Sequence, residues 1–471
     1  MKTDIELSTV QPSLWSTIRE SLAGSHRGEY TDGAIGRAIL LLAVPMVLEL
    51  VLESVFAVVD VFFVSRLGAD AVATVGITES LLTIMYALAV GLSVGAMATI
   101  ARRVGERDPD AAARAAVQAI ALGVIVSVPI GVLGFWFARP LLSLMGAGPD
   151  VLAHSSYAAI VLGLNGVILM IFLINAVFRG AGDAAVAMRV LWIANAFNIV
   201  LDPCLIFGLG PFPRLGVTGA AVATTTGRGL GVLLQLYILS RGQGRITIRR
   251  EHVRLDPGVM LSMLRLSGTA VFQTLIATTS WIGLVRILAA FGSDALAGNT
   301  IAIRIVVFAL LPSWGFANAA ATLVGQNLGA GKPDRAETSV WRASFYNMVA
   351  LAGIGLLFVA FADPIIAAFT DDPNVAPIAV RGLRIISAGF PVYAYGYVLT
   401  QAFNGAGDAV TPTLINVFCL WLGEIPLAYV LARTVGLGPT GVYWSILIAF
   451  SAMSLVSGLL FRRGTWKLKR I

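Results

Sequence analysis

The sequence predicts an all-α integral membrane protein with twelve transmembrane helices in two pseudo-symmetric six-helix lobes. Three observations lead to that fold class. First, the 471 residues are 57% hydrophobic and only 13% charged, against roughly 25% charged in soluble domains, and the mean hydropathy is +0.85. Second, twelve apolar segments succeed one another at roughly 36–64, 72–101, 112–137, 152–178, 185–209, 217–240, 259–291, 296–325, 338–362, 377–403, 410–433 and 441–461, each near the ~20 residues that a spanning helix needs. Third, the motifs between segments recur. Leu67-Gly68-Ala69-Asp70-Ala71 returns as Phe291-Gly292-Ser293-Asp294-Ala295, 224 positions on. Gly180-Ala181-Gly182-Asp183 returns as Gly405-Ala406-Gly407-Asp408 at an offset of 225. Six is even, so both halves enter from the same side and the repeats are parallel.

Taken in order, residues 1–34 are polar and contain no signal-peptide core, so the first span is expected to serve as the insertion signal. Within them Leu14, Trp15, Ile18 and Leu22 follow Pro12 and Ser13 at helical spacing and stop at Gly24. A short interfacial helix in a cytoplasmic N-terminal segment is expected there. The first lobe is expected at 35–240 and a cytoplasmic linker at 241–257, marked by Arg241, Arg245, Arg249, Arg250 and Arg254. A second lobe over 258–461 and a basic cytoplasmic tail over 462–471 complete the chain. With both termini inside, 24 of the 33 Lys and Arg fall on the cytoplasmic side, which fixes the orientation by the positive-inside rule. Seven others, Arg228 among them, are assigned to the outer side or outer helix ends, and Arg286 and Arg304 to the spans.

The same residues exclude several function classes. The net charge of +7 arises at the ends of apolar runs, which indicates a lipid bilayer rather than nucleic acid as partner. Cys204 and Cys419 sit inside apolar runs and read as small core hydrophobes. His26, His154 and His252 occupy polar connections, which argues against an intramembrane metalloenzyme. The two Gly-Ala-Gly-Asp stretches lack a preceding strand and a following Lys-Ser or Lys-Thr, so they read as tight turns and not as phosphate loops.

Acids at bilayer depth cost roughly 2.5–3.5 kcal/mol on insertion scales and are functional candidates by default. Glu49, Glu53 and Asp60 of the first span stand at i, i+4 and i+11, within ~40° on one helical face. Asn195, Asn198 and Asp202 of the fifth span stand at i, i+3 and i+7, again one face. Carboxylates with amide and hydroxyl oxygens suit a hard cation or a shared proton, although interhelical hydrogen bonding is the structural alternative. In the tenth span Tyr393, Tyr397, Gln401 and Asn404 form an aromatic-to-polar face suited to a flat organic cation. Glu49, Glu53, Gln273 and Trp281 are expected to complete that substrate cleft, with Glu424 as a counter-ion or a structural partner. Pro45 supplies a hinge in the first span. Glu79 and Arg304 lie at nearly equivalent repeat positions and are expected to pair, because an unpaired arginine at that depth is expensive.

Further residues carry a family resemblance: Pro45-Met46 followed by Asp60, the Arg179-Gly180-Ala181-Gly182-Asp183 turn, Asn198 with Asp202-Pro203, Gly219-Ala220-Ala221 with Ala223-Thr224, and Pro426-Leu427-Ala428-Tyr429. Over residues 35–461 the chain resembles the multidrug and toxic compound extrusion (MATE) family. The resemblance implies two six-helix lobes around a central cleft and, with no cofactor, export of organic, often cationic, small molecules in exchange for H⁺ or Na⁺. It also implies that Asp60, Asn198 and Asp202 form an N-lobe coupling site, to which Asn175 and Thr224 are added as further members. No acid occurs between Pro257 and Ser293 or between Pro377 and Gly407; family members with a C-lobe cation site carry acids there, so the chain is similar to the N-lobe-coupled, DinF-like branch. A monomer in the cytoplasmic (inner) membrane of a prokaryote is expected. The alternative is a flippase for a lipid-linked sugar on a related two-lobe fold, for which a cleft lined by arginine would be expected.

Overall fold

A computed structural model describes residues 13–24 and 30–471 and is helical throughout, with no strand among the described residues. Pro12 and His26 lie outside them. Nine helices are long and apolar enough to cross a membrane, and the bent pair α6–α7 makes a tenth span among the described residues. The first lobe comprises α2 (Ile35–Ser65), α3 (Ala69–Gly105), α4 (Pro109–Leu144), the pair α6 (Ser155–Gly163) and α7 (Asn165–Ala181), α8 (Ala184–Phe207) and α9 (Val217–Arg241), with a short α5 (Pro149–Ala153) before α6. The second comprises α10 (Pro257–Ala289), α11 (Ser293–Gly329), α12 (Pro333–Ala360), the pair α14 (Ala376–Ala388) and α15 (Phe390–Gly405), the segment Val410–Thr434 and α18 (Pro439–Arg462), with α13 (Ala362–Ala367) after α12. The α9 helix and the α14–α15 pair occupy the sixth and tenth expected segments, outside the ten counted by length and apolarity among the described residues.

The duplication extends to irregularities. The fourth segment breaks at Leu164 and the tenth at Gly389, about one repeat later. The two Gly-Ala-Gly-Asp stretches are tight turns, as expected: Gly182 and Gly407 hold φ values of +88° and +86°, which glycine adopts without steric cost. The Val410–Thr434 segment is irregular in its own way, with α16 (Val410–Asn416) and α17 (Ile425–Tyr429) separated and followed by π-helical stretches at Val417–Glu424 and Val430–Thr434.

The short helix expected before the first span is present as α1 (Leu14–Ala23), capped by the Ser13 side chain and terminated by Gly24 in the left-handed region. Leu14 and Trp15 are exposed while Thr17 and Ser21 are buried against the lobe. That docking bears on Pro45. Proline has no N–H, so the carbonyl four residues earlier, that of Leu41, loses its helical donor. The Ser21 hydroxyl donates to this carbonyl at 3.2 Å, and α2 continues through Pro45 as one helix.

Close approaches between the lobes fall at the end that carries the C-terminus. A Cβ on Gly105 would stand 2.0 Å from the Gln326 carbonyl oxygen, and one on Gly329 would stand 2.2 Å from that of Arg102. Thr322 and Gln326 donate to the carbonyls of Arg179 and Gly180 at 3.1 and 3.0 Å. The basic tail is built into this seal. Trp466 is fully buried, stacked on Phe461 at 4.5 Å, and donates its indole N–H to the Phe461 carbonyl. Arg102 of α3 donates to the carbonyls of Ala406 and Lys469 at 3.3 and 2.9 Å. Lys467 pairs with Glu337 and Asp334 at 2.6 and 3.0 Å, and the hydrogen bond to Glu337 raises its ammonium above the ordinary lysine range.

Replacing Ser21 with alanine leaves the Leu41 carbonyl buried without a donor, at a cost of about 1–3 kcal/mol. Thermal unfolding of the purified Ser21→Ala protein is expected to show a lowered midpoint; an unchanged midpoint would mean that α1 does not support the proline turn. A side chain at Gly105 has no space while the lobes are sealed, so Gly105→Val is expected to separate them at this end. Distances between spin labels on α3 and α11 near residues 105 and 329 would report it, and a wild-type distance distribution would contradict it.

Candidate functional site

The three acids of α2 have different environments. Glu49 is buried, and its Oε1 accepts from the Asn175 amide at 3.0 Å and the Arg179 guanidinium at 2.9 Å, both from α7. The Asn175 carbonyl oxygen is taken in turn by Gln235 of α9 at 2.6 Å. One turn further on, Glu53 accepts from Asn195 of α8 at 3.2 Å and from Arg228 of α9 at 2.9 Å. Each of these acids thus faces an arginine.

Asp60 does not. It is 9% exposed, its Oδ1 is buried with no hydrogen-bond partner, and it makes no ion pair within 4 Å among the described residues. Asp202 of α8 is 0% exposed, and neither of its oxygens has a partner. Asp60 lies within electrostatic reach of it. Beside them the Asn198 amide donates to the Thr224 hydroxyl of α9 at 3.1 Å, leaving the Asn198 oxygen buried and unpartnered. Four orphan oxygens, three of them from carboxylates, therefore lie on α2 and α8, with Asn198 bonded to Thr224 of α9 and Asp60 within electrostatic reach of Asp202. Buried polar groups are ordinarily bonded, and two carboxylates in low dielectric do not both stay ionised unless a cation or a shared proton joins them. Among the described residues no group of three His, Cys, Asp or Glu side chains is disposed to hold a metal ion.

The structure places the other candidates differently from the sequence expectation. Asn175 serves Glu49 rather than the Asp60–Asp202 pocket, because α7 faces α2 one to three turns earlier along the helix. Glu49, expected in the substrate cleft, is enclosed by its partners. Arg228, assigned from the sequence to the outer side, is a 6%-exposed side chain in mid-helix, bonded to Glu53 and set 5.9 Å over the Phe56 ring. An arginine eleven residues into the small-residue run that begins at Val217 was the available signal. Glu79 and Arg304 are both exposed and interact through space, but form no ion pair within 4 Å. In the second lobe Tyr393 is buried against Phe390 and Phe450, with Tyr397 half-buried on the same Phe450 ring, so most of the expected aromatic face is core. Gln401 accepts from Asn404 at 2.7 Å, and the Gln273 backbone carbonyl accepts from Asn416 at 3.3 Å. Glu424 is 2% exposed and accepts from Ser280 at 2.7 Å.

The MatE family pattern matches residues 45–204 and again 270–430, one match per lobe. The chain belongs to the MatE family. It is a transporter and not an enzyme, and both matches include the acid-bearing spans described above. The chain is similar to the probable multidrug resistance protein NorM of Thermotoga maritima, at 25% identity over 93% of this chain and 94% of that protein. It is also similar to the probable multidrug resistance protein YoeA of Bacillus subtilis, at 26% identity over 93% and 96% of the two chains. Among solved structures, an outward-facing MATE family multidrug resistance transporter of the MOP superfamily superposes with a TM-score of 0.86, at 26% identity, over 92% of this chain and 96% of that one.

Truncating Arg228 leaves Glu53 without its ion-pair partner, bonded only to Asn195, and because the acid is half-buried the cost falls below the ~3–5 kcal/mol of breaking a fully buried pair. Arg228→Ala is expected to lower the unfolding midpoint, and Arg228→Met combined with Glu53→Gln is expected to recover much of the loss. A double variant as unstable as Arg228→Ala would show that the arginine acts through packing alone.

Proposed function

We propose that this MatE transporter is a secondary active antiporter that exports organic, often cationic, drug-like compounds in exchange for H⁺ or Na⁺ by alternating access. The observation that carries the reading is the pocket of unpaired oxygens at Asp60, Asp202 and Asn198. A carboxylate pair left without a basic partner, beside two acids that each have one, is what a site must offer if it is to take up a cation and release it again. The names of the relatives, multidrug resistance proteins, support the substrate class.

In this reading Asp60 and Asp202 carry the coupling ion, and Asn198 and Thr224 supply neutral oxygens. Glu53, which retains partial exposure while bonded to Arg228, stands between that pocket and the cleft. Both termini are assigned to the cytoplasm, as the basic bias requires, in the inner membrane of a prokaryote, and the monomer is the working unit. The sealed end with its ordered tail is then the cytoplasmic gate.

Ion entry neutralises the pocket and changes what α2 must bury. By linkage, an ion that weakens substrate binding is itself weakened by substrate to the same factor. Asp60→Asn and Asp202→Asn are each expected to abolish gradient-driven dye efflux from everted vesicles, under pH and Na⁺ gradients imposed separately, while leaving dye binding intact. Wild-type pumping by both would remove the N-lobe pocket as the coupling site. Cysteines introduced at 241–257 and at Lys467 are expected to label only from the cytoplasmic side; labelling from outside would reverse the orientation.

A further inference from the structure

Among the described residues outside the N-lobe pocket, one acidic side chain in the spans is buried without a basic partner. Glu424 is 2% exposed. Its Oε2 accepts from the Ser280 hydroxyl of α10 at 2.7 Å, and its Oε1 is buried with no partner. The elements packed around it offer hydroxyls and no positive charge. Tyr393 and Tyr397 of α15 lie within electrostatic reach, and the buried Tyr393 hydroxyl has no hydrogen-bond partner. The arginines of α10 and α18, Arg265, Arg286 and Arg462, make no hydrogen bond or ion pair to Glu424. That environment differs from those of Glu49 and Glu53, each answered by a guanidinium.

We propose that Glu424, held by Ser280 among the tyrosines of α15, is a second proton-carrying site, located in the C-lobe and separate from the Asp60–Asp202 pocket. The proposal rests on the antiport reading above. The ligand is a proton rather than a metal cation, because one carboxyl and one hydroxyl fall short of the six or more oxygens that hard cations such as Ca²⁺ take. It is not an organic cation, because the carboxyl is enclosed. An ionised carboxylate in so apolar a place is expensive unless paired, so the proton on Glu424 must come and go with a change in its surroundings.

The segment bearing Glu424 is built to change. It lies at the end of the π-helical stretch Val417–Glu424, a second such stretch follows at Val430–Thr434, and Pro426 removes a backbone donor between them. A π-helical turn holds one residue more than its hydrogen-bond ladder needs, and passing that residue along the chain rotates the side chains it crosses. The ionised acid favours a register that brings it to water, and the protonated acid favours the buried register seen here. Proton binding at Glu424 and the shape of the C-lobe wall are thereby one equilibrium.

Glu424→Gln is isosteric, keeps an acceptor for Ser280 and cannot titrate. In proteoliposomes under an imposed pH gradient, this variant is expected to move one proton fewer per fluorescent cationic dye than the wild type. Infrared difference spectra between low and high pH are expected to lose a protonated-carboxyl band in Glu424→Gln, to retain it in the Asp60→Asn/Asp202→Asn double variant, and to shift it in Glu424→Asp. An unchanged proton count with an unchanged band in Glu424→Gln would overturn the proposal, as would a band that responds to Na⁺ and not to pH. Normal pumping by the Asp60 and Asp202 variants would defeat the N-lobe assignment alone, since the infrared band decides Glu424 independently.

Discussion

The structure depends on how α2 distributes the cost of three acids in its span, Glu49 and Asp60 buried and Glu53 half-buried. Glu49, Glu53 and Asp60 share one helical face, and a carboxylate at such depth is tolerated only with a partner. Arg179 answers the first at 2.9 Å and Arg228 the second, also at 2.9 Å. Those two pairs bind α2 to α7 and α9 and so hold the first lobe together through its polar centre, where lipid-like packing alone would be indifferent to register. They also consume the positive charge. What is left over is Asp60 with Asp202, neither of which makes an ion pair within 4 Å among the described residues, although Arg228 acts on Asp60 through space. The carboxylates on this helix are therefore distinguished by what faces them.

That arrangement also explains why the two lobes can move as units. Within the first lobe the charge pairs and the Asn175–Gln235 bond tie helices together from their interiors. Between the lobes the contacts are of another kind: glycines that let backbones approach at Gly105 and Gly329, and single hydrogen bonds from Thr322, Gln326 and Arg102 to backbone carbonyls. Each neutral bond is worth only about 0.5–1.5 kcal/mol net and those of the Arg102 guanidinium about 1.5–3 kcal/mol, and the carbonyls released would turn toward water at a membrane surface. Opening this seal breaks single hydrogen bonds, the costliest those of the buried Arg102, but separates no buried ion pair like the Arg179–Glu49 pair inside the first lobe.

Much of this was legible in the sequence, because bilayer thickness and helical rise are fixed and the chain obeys them. The segment expected at 36–64 is found at Ile35–Ser65, and that at 217–240 at Val217–Arg241. The Asp60, Asn198 and Asp202 grouping is read from one-face spacing on two helices together with the family resemblance, and each of the three residues carries a buried oxygen without a hydrogen-bond partner. What escaped were features set by neighbours in space. Asn175 went to the wrong acid, since spacing along α7 does not say which turn of α2 it meets. Arg228 was misplaced because a positive-inside count treats every arginine as a surface marker. The break at Gly389 lies within a continuous apolar run, and the π-helical turns around Glu424 have no single-residue signature beyond Pro426. The C-terminal tail reads as a string of basic residues, while its position is set by Trp466, whose burial depends on Phe461.

The tail illustrates how a charged segment acquires a structural role at the end of a helical lobe. Trp466 enters the apolar end of the second lobe, and an aromatic side chain of this size dominates the burial energetics of its segment. With the indole anchored, the next residues have little choice of path. Lys467 reaches Glu337 and Asp334 on α12, and the carbonyl of Lys469 is presented to Arg102 on α3. The salt bridges are partly exposed and contribute little stability individually, but they select one direction for a chain already fixed at one end. Because Arg102 belongs to the first lobe and Trp466 to the second, the tail spans the seal, and separation of the lobes at that end must break the Arg102 bonds or draw the tail out of register.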